Sequence, residues 1–510
     1  MRAIRLAFYL LLVLPLSVSA RAAVRLPHVL SDHAVLQRNR PIHIWGWATP
    51  GAHVQVQFRS QTVPAIADRL GEWSLWLAPE SAGGPYTLTV SGDGPAVTLT
   101  DLLVGDVWFA SGQSNMEIPL LGFPGNAVIK DADKEIAAAN NPKLRLLLVD
   151  KKSSDYPVND EPDTWTLCTP ETASHFSAVA YFFGREIAAK ENVPIGLIDS
   201  TWGGTPADSW VSLDTLGTHP ELLPAIASRA HFANLQADVQ ARIAAEKAET
   251  EAARAAGQPL PEFDWHPDEV SWIPAALYNG MVAPFTPLTL RGFLWYQGET
   301  NSGVGRAPYY ESLFSSLIGD WRMHFSQGNL PFFFVQISSF NSPREDWGRV
   351  RDAQRRTLAV ANTAMAVTLD VGEADNVHPP DKQTVAHRLA LAARHMVYGE
   401  SDLPYESPLF RQATAELQPD GSTALRVWFT HAQGLTAHGQ PIDAFELAGA
   451  DHHFVPAHAR IDGETVVVSS PDLRNPVYVR YGWMGVVNHN LDNAAGLPAS
   501  TFTSEDWPLD

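Results

Sequence analysis

The sequence contains one cysteine, Cys168, and few basic residues for a chain of 510. A single cysteine excludes an intrachain disulfide and any metal site that needs several cysteines. With 36 basic against 56 acidic residues, the formal charge is −20, which argues against nucleic acid and anionic membrane surfaces as partners. Beyond the first 20 residues no apolar run is long enough to predict a transmembrane helix.

The first 20 residues have the pattern of a secretory signal peptide. Arg2 and Arg5 are basic, the stretch from Leu6 to Leu16 is apolar, and small residues that suit cleavage end at Ala20. Because the apolar run is short, we favour a removed signal over an uncleaved anchor. We therefore expect a mature protein in the periplasm or outside the cell, with no membrane contact after cleavage.

Hydrophobic patterning divides the rest of the chain into three parts. Residues 24–100 show short alternating strands, typical of a β-sandwich module. Residues 101–402 alternate strands with helices, which predicts an α/β domain around a parallel sheet. Within it, residues 212–272 are rich in Ala, Glu, Lys and Arg and predict an inserted, mostly solvated helical hairpin. Residues 403–510 return to β structure, either as a second sandwich or as the completion of the first.

Four tryptophans in the N-terminal strands admit two interpretations: Trp45, Trp47, Trp73 and Trp76. They form either a platform on which sugar rings stack or the buried filling of a sandwich. The second interpretation is favoured because strand tryptophans more often belong to a core.

Polar residues follow four predicted strands at the point where each strand ends. Ser114 follows the apolar run Leu102–Ala110, and Gly203 and Gly204 follow the predicted strand Ile195–Ser200. Two further loops carry Gln297 with Asn301, and Asp375 with His378. Open α/β sheets bind ligands beyond the carboxyl ends of their strands, so we expect these side chains to converge.

This set of residues suits acyl transfer, which needs a nucleophile, a base and oxyanion donors. Ser114 is the candidate nucleophile and His378 the base, with Asp375 placed three residues earlier to orient the imidazole. The Ser114 N–H, an N–H at Gly203 or Gly204, and a side-chain amide are the candidate oxyanion donors. No cofactor is predicted.

A metal site is the less favoured alternative for the same loop. Its candidate ligands are His378, Asp375, Glu373 and Asp370. The other loops supply serine, glycine and amides rather than a second histidine, so no metal is predicted.

At these residues the sequence resembles the sialate O-acetylesterase-like carbohydrate esterases of the SGNH hydrolase superfamily. The resemblance is carried, in order, by the blocks Ser111–Glu117, Gly203–Pro206, Leu277–Met281, Trp295–Asn301 and His378–Pro379. Shorter matches at Val35–Gln37, Gly71–Trp73 and Tyr481–Trp483 extend it over nearly the whole chain apart from the insertion.

The resemblance implies a three-layer α/β/α hydrolase domain with a parallel sheet, flanked by β-sandwich-like modules. It also implies removal of acetyl groups from sugar hydroxyls without a cofactor. By position it makes Ser114 the nucleophile, His378 the base, and Gly204 with Gln297 or Asn301 the oxyanion donors. Asp375 fits the superfamily pattern for the orienting carboxylate, with Glu373 as the alternative.

An acetylated carbohydrate is therefore the expected partner, and no oligomeric state is predicted. Trp202, Trp295 and Tyr296 beside the site are expected to bind it, which favours a neutral hemicellulose such as xyloglucan or xylan. An O-acetylated sialic acid is the alternative and would require an arginine; the candidates are Arg322, Arg344, Arg349 and Arg351. A non-catalytic carbohydrate-binding protein is the alternative from another class, and a lipase or thioesterase is less favoured.

Overall fold

The computed structural model describes residues 23–506 apart from positions 124, 126 and 262–268, and it leaves the side chains of 228–240 and 269 undescribed. The predicted signal peptide at residues 1–20 lies outside the described residues. Within the described part of the chain, no helix has the length and apolar character needed to cross a membrane.

Six strands precede the central domain and form two small sheets. They are β1 (Val35–Gln37), β2 (Ile42–Trp47), β3 (His53–Phe58), β4 (Gln61–Ile66), β5 (Glu72–Leu77) and β6 (Gly83–Ser91). Strands β2 and β5 pair antiparallel with each other, whereas β3 pairs with β4 and β6. Alternate side chains of β3 and β5 are buried and exposed, as expected for strands with one face toward a core.

The next strand, β7 (Val97–Gly112), belongs to both the N-terminal module and the central domain. Its first half pairs with β1 and β6, and its second half lies at the centre of the main sheet. The module boundary predicted between residues 100 and 101 therefore falls inside a continuous strand. Because the chain does not break there, the two modules share a hydrogen-bonded frame.

The central sheet has the order β13-β12-β11-β7-β10-β8-β9. Its further strands are β8 (Asn141–Leu148), β9 (Thr166–Cys168), β10 (Ile195–Thr201), β11 (Gly292–Tyr296), β12 (Phe332–Val335) and β13 (Thr363–Ala366). All neighbours pair in parallel except β8 with β9. Strands β10, β11 and β12 are buried along their whole length, so they appear in the sequence as unbroken apolar runs rather than alternating ones.

Helices cover both faces of this sheet. The α-helices of the described chain are α1 (Ser114–Glu117), α2 (Ala132–Ala138), α3 (Pro170–Ser174), α4 (Ala178–Glu191), α5 (Leu213–Thr218), α6 (Leu223–Ala255), α7 (Tyr310–Phe325), α8 (Trp347–Arg356) and α9 (Lys382–Met396), of which α6 belongs to the predicted insertion. Trp108 contacts Phe183 of α4, whereas its neighbour Phe109 contacts Trp321 and Phe325 of α7. Successive residues of a strand point to opposite faces, so α4 and α7 lie on opposite sides. The predicted three-layer α/β/α architecture is thereby confirmed.

The predicted insertion at 212–272 is helical but is not a hairpin. Most of it is one continuous helix, α6, of 33 residues. Its side chains from 241 to 256 are mostly exposed, in agreement with the expected solvated surface. Alanine and long charged residues have high helix propensity and no turn residue interrupts them, so the segment continues as one helix.

The C-terminal strands form a second sandwich of their own. They are β14 (Leu409–Leu417), β15 (Thr423–Thr430), β16 (Phe445–Ala448), β17 (Phe454–Pro456), β18 (His458–Asp462), β19 (Thr465–Ser469), β20 (Tyr478–Tyr481) and β21 (Phe502–Thr503). Two antiparallel four-stranded sheets result, in the orders β14-β15-β19-β18 and β17-β16-β20-β21. None of these strands pairs with the described N-terminal strands, so the first of the two expectations for this region holds.

Arg351 of α8 fastens the C-terminal module to the hydrolase domain. Its guanidinium is fully buried and donates to the backbone carbonyls of Ile337, Ser338, Gly482, Met484 and Gly485. Burial lowers the pKa of Arg351 to about 9. Because backbone carbonyls occupy its donors, Arg351 is not available to a ligand carboxylate.

Candidate active site

Ser114 lies just beyond the carboxyl end of β7, where a tight turn leads into α1. Gly112 adopts a φ of +138°, and a Cβ atom there would lie 2.1 Å from the carbonyl oxygen of Tyr296. Only glycine fits such an approach. Because α1 begins at Ser114, the Ser114 backbone N–H is not used inside the helix.

The His378 side chain meets Ser114 from the loop before α9. Its Nε2 atom lies 2.9 Å from Ser114 Oγ, a distance at which the hydroxyl donates to a neutral imidazole. Burial, together with the nearby Lys382 ammonium, lowers the pKa of His378 to about 4. The imidazole is therefore neutral near pH 7 and able to accept a proton.

The acidic residues of the loop that carries His378 differ in their hydrogen-bond partners and in their exposure. Asn376 Oδ1 accepts from the His378 backbone N–H at 2.9 Å, and Asn376 Nδ2 donates to Glu373. Asp370 forms two short bonds with Arg388, at 2.7 and 2.6 Å. The side chains of Asp375 and Glu373 are exposed. The orienting role of Asp375 therefore stays a prediction.

Gly203 and Gly204 occupy different environments. The Gly203 N–H donates to Glu117 Oε2, and the other oxygen of that carboxylate, Oε1, forms an ion pair with Lys151 Nζ at 2.6 Å. Gly204 has a φ of +71°, and its carbonyl accepts from the Trp272 indole at 2.7 Å. Since the Gly203 N–H already has an acceptor, Gly204 is the better placed of the two to donate to a ligand.

Gln297 and Asn301 are fully buried and bonded to the protein itself, contrary to the predicted oxyanion role. Gln297 Nε2 donates to Asn301 Oδ1 and to the Thr205 carbonyl. Asn301 Nδ2 donates to Asp208, and its Oδ1 also accepts from the Ala207 N–H. Neither residue lines the cavity at Ser114. Their amides instead hold the segment that follows Gly204 in place.

Gln113 is a polar residue of the cavity that sequence reasoning missed. Its side chain is 3% exposed and lines the cavity next to Ser114. Its Oε1 atom accepts from the N–H groups of Gly298 and Thr300. This fixes the carbonyl end of the amide and leaves the NH₂ end to face other partners. The feature of the sequence that could have identified Gln113 is its position between Gly112 and Ser114, inside the block Ser111–Glu117 that carries the family resemblance.

Asn115 links the nucleophile segment to the histidine loop. Its Nδ2 atom donates to the Val377 carbonyl at 2.9 Å and to Glu299 Oε1 at 2.6 Å, and its Oδ1 accepts from Lys382 Nζ at 2.5 Å. The side chains of Asn115, Glu299 and Lys382 are buried. Burial raises the pKa of Glu299 and lowers that of Lys382 to about 7. One amide thus holds the residues next to Ser114 and His378 together.

The cavity at Ser114 has a volume of about 640 Å³ and aromatic walls. The rings come from Phe123, Trp272, Phe340 and Trp347. Its charged lining residues are Glu117, Glu299, Glu345 and Lys151. Trp272 belongs to the end of the 212–272 insertion, so that segment contributes directly to the site.

The predicted substrate-binding aromatics differ from these rings. Trp295 and Tyr296 are fully buried; Trp295 packs among Trp210, Phe314 and Trp321. They belong to a strand that is covered on both faces, so the prediction that they bind substrate is wrong. Trp202 is half-buried, with Lys151 Nζ at 5.9 Å from its ring centre, and its role stays a prediction.

Part of the chain matches the sequence model of a known protein family. The model for "Carbohydrate esterase, sialic acid-specific acetylesterase" matches residues 255–395, a range that includes His378 and the buried amides.

Proteins that are similar to this chain over most of their length are named as acetylesterases of the same kind. The sialate O-acetylesterase of Mus musculus is 30% identical, covering 93% of this chain and 92% of the mouse protein. That of Homo sapiens is 31% identical over 78% of this chain and 76% of its own. Among solved structures, a carbohydrate acetylesterase from Xanthomonas citri is 35% identical, covers 95% of this chain and 100% of its own, and superposes with a TM-score of 0.80.

We predict that Asn115→Ala lowers kcat for 4-nitrophenyl acetate by about 10²-fold, because a displacement of about 1 Å between reacting groups has such an effect. The loss follows from release of the Val377 carbonyl and of the loop that carries His378. Steady-state kinetics on protein with an unchanged circular dichroism spectrum provides the measurement.

Asn488→Ala is the matched control, because Asn488 is exposed and bonds Asp443 in the C-terminal module. It is expected to leave kcat within about twofold, as surface substitutions generally do. An Asn115→Ala enzyme with full kcat would show that this amide does not hold the site together.

Proposed function

The chain belongs to the sialate O-acetylesterase family of carbohydrate esterases, and we propose that it removes acetyl groups from neutral hemicellulose oligosaccharides such as xyloglucan or xylan. The observation that carries the mechanism is the 2.9 Å contact between Ser114 Oγ and His378 Nε2 at the mouth of an aromatic cavity. We also propose that it acts after secretion, on the strength of the signal-like residues 1–20.

In this mechanism Ser114 Oγ attacks the acetyl carbonyl while His378 Nε2 takes its proton. The tetrahedral intermediate places a negative charge on the former carbonyl oxygen, which the N–H groups of Ser114 and Gly204 stabilise. The Gln113 amide supplies the side-chain donor once expected of Gln297. His378 then returns the proton to the departing sugar hydroxyl, and water cleaves the acetyl-serine in the same way.

The charges of the cavity favour an uncharged sugar. Its described lining contains carboxylates and one ammonium, Lys151, which already pairs with Glu117. No arginine lines it among the described residues, and Arg322 and Arg351 donate to backbone carbonyls elsewhere. A sialate carboxylate would lack the bidentate partner that arginine offers. Aromatic rings such as Trp272 and Trp347 suit the apolar faces of neutral sugars.

An O-acetylated sialic acid is the second candidate substrate. The names of the mouse and human relatives favour it, and Lys151 is the cation that a sialate carboxylate would meet. The two candidates share one mechanism and differ only in the alcohol that leaves. Substrate comparison therefore separates them without affecting the assignment of Ser114.

Ser114→Ala and His378→Ala are each expected to lower turnover of 4-nitrophenyl acetate by about 10³-fold or more. Because the two side chains act as a unit, the double variant should lose no more than the worse single one. Thermal melts check that each variant folds. Near-normal turnover by Ser114→Ala, or loss of wild-type activity on addition of a chelator, would overturn the serine mechanism.

Asp375→Ala is expected to lower kcat strongly, though less than Ser114→Ala, because a carboxylate that orients the His378 imidazole contributes less than the nucleophile itself. Glu373→Ala serves as the matched exposed variant and should have little effect. Parallel kinetics on both variants assign the role. A silent Asp375→Ala beside a damaging Glu373→Ala would move it to Glu373, and two silent variants would leave a Ser114–His378 dyad.

Acetate release should be at least tenfold more efficient, in kcat/KM, from acetylated xyloglucan oligosaccharides than from 9-O-acetyl sialic acid. The reason is the missing arginine partner for a carboxylate in the cavity. An enzymatic acetate assay at equal substrate concentrations provides the comparison, with 4-nitrophenyl acetate turnover as the internal standard. A preference for the sialate would establish the second candidate.

A further inference from the structure

A second cavity, of about 810 Å³, lies between the N-terminal β2–β5 pair and the hydrolase domain. We name it the inter-module cleft. Its walls are β2, β5, the loop at 155–159, the start of α5, and the segment 278–287 together with His324. It shares no lining residue with the cavity at Ser114. The proposed mechanism gives it no role.

One wall of the inter-module cleft is a row of aromatic side chains on a single face of β2. His43, Trp45 and Trp47 alternate along the strand, so they share a face. The His43 ring stacks on Trp45 at 5.1 Å and on Trp76 of β5 at 4.3 Å between centroids. Trp47 is half-buried, with the Arg25 guanidinium 3.9 Å from its ring centre. Packing therefore holds these rings in fixed positions.

Tyr156 forms part of the opposite wall and is exposed to solvent. It is 79% exposed. Exposing an aromatic ring to water is unfavourable. Covering the ring with a flat apolar surface of a ligand therefore stabilises the complex. The faces of pyranose rings provide such surfaces.

The polar groups of the inter-module cleft suit hydroxyl groups. Glu72 and Ser74 of β5 pair with Trp47 and Trp45 of β2, so their side chains lie on the same face as the aromatic row. The carboxylates of Asp68, Glu72, Asp155 and Asp214 line the same cavity, whereas no lysine or arginine does so in the described part of the chain. Carboxylates accept hydrogen bonds from sugar hydroxyls and repel anions.

Two segments connect the inter-module cleft to the active-site cavity. Lys151 lines the cavity at Ser114 and Asp155 lines the cleft, four residues later, which limits their separation to about 14 Å. Gly204 lines the cavity at Ser114 and Ser212, eight residues later, lines the cleft, so a second short segment joins the two. Thus the two cavities are neighbours on the molecule.

The block Leu277–Met281, which the mechanism does not use, holds the first of these segments. Asn279 Nδ2 donates to the Ser154 carbonyl, and the Asn279 carbonyl accepts from the Val158 N–H. A Cβ atom on Gly280 would lie 2.2 Å from the Lys152 carbonyl oxygen, so the loop packs directly on this backbone. The loop between the two cavities is therefore anchored rather than free.

We propose that the inter-module cleft is a non-catalytic binding site for the unsubstituted backbone of a neutral oligosaccharide. It holds the glycan next to Ser114 while acetyl groups are removed. The neutral class rests on the proposed function as well as on the carboxylates of the cleft. Trp47 and Tyr156 are the stacking residues, and the carboxylates of the cleft are acceptors for sugar hydroxyls.

The test uses full-length Ser114→Ala protein, which binds without turnover, and a xyloglucan heptasaccharide that carries no acetyl groups. Isothermal titration is expected to show binding that Trp47→Ala and Tyr156→Ala each weaken by about fivefold to tenfold. Trp428→Ala is the matched control, since Trp428 is a partly exposed strand tryptophan of the C-terminal module. It should leave the affinity unchanged.

The same substitutions in the active enzyme give an independent readout. They should raise KM for acetylated xyloglucan polymer without changing kcat, and leave kcat/KM for 4-nitrophenyl acetate within twofold. Tyr156→Ala keeps the test valid if Trp47→Ala fails to fold, because Tyr156 lies outside the core.

Several results would overturn the proposal. They are absence of heptasaccharide binding, binding that survives both substitutions, and preferential binding of polysialic acid that the same substitutions weaken. Failure of the cleft is distinguishable from failure of the proposed function, because acetate release from xyloglucan oligosaccharides is measured separately. An enzyme that prefers sialate but binds the heptasaccharide through Tyr156 would retain the cleft and lose the proposed substrate.

Discussion

The side-chain amide of Asn115 is the contact on which the geometry of the site depends. It stands beside Ser114 and donates to the carbonyl of Val377, the residue beside His378. The serine and the histidine come from segments that are more than 260 positions apart, so their distance is set by contacts of this kind rather than by the chain. Hydrogen bonds to Glu299 on one side and from Lys382 on the other fix the orientation of the amide.

The backbone imposes a second constraint at the same place. Gly112 ends β7 so close to the Tyr296 carbonyl that no side chain fits, and the turn is locked between β7 and β11. Because β7 also pairs with the N-terminal strands, the nucleophile is built on a strand that runs through two modules. The N-terminal module therefore stabilises the frame of the site, and its sheet provides one wall of the neighbouring cleft.

The sequence predicts the fold and the Ser114–His378 meeting because both depend on where strands end. Parallel strands place their carboxyl ends along one edge, and apolar runs show where those ends are. The same reasoning gives the position of a Cα atom but not the neighbours of its side chain. Gln297 and Asn301 lie at the correct edge, yet their amides bond backbone and each other. Trp295 is covered on both faces, which a run of apolar residues does not reveal.

The sequence did not predict that Gln113 and Trp272 line the cavity, and the reason is a different one. Gln113 and Trp272 reach the cavity through tertiary contacts, to the Gly298 N–H in one case and to the Gly204 carbonyl in the other. No local pattern encodes such contacts, since each joins segments far apart in sequence. The helical insertion shows the same limit: its composition predicts a helix, but only the folded chain shows that its end supplies a wall of the site.

Burial of the ionisable groups also bears on the proposed preference for an uncharged substrate. Desolvation lowers the pKa of His378 and raises that of Glu299, so both groups are moved toward their neutral forms. A ligand carboxylate entering the same space would lose its hydration and gain only Lys151, which is already paired. A neutral acetyl sugar avoids that cost. In the proposed reaction the one negative charge that the site must then stabilise is the oxyanion itself, for which the Ser114 and Gly204 N–H groups are the proposed donors.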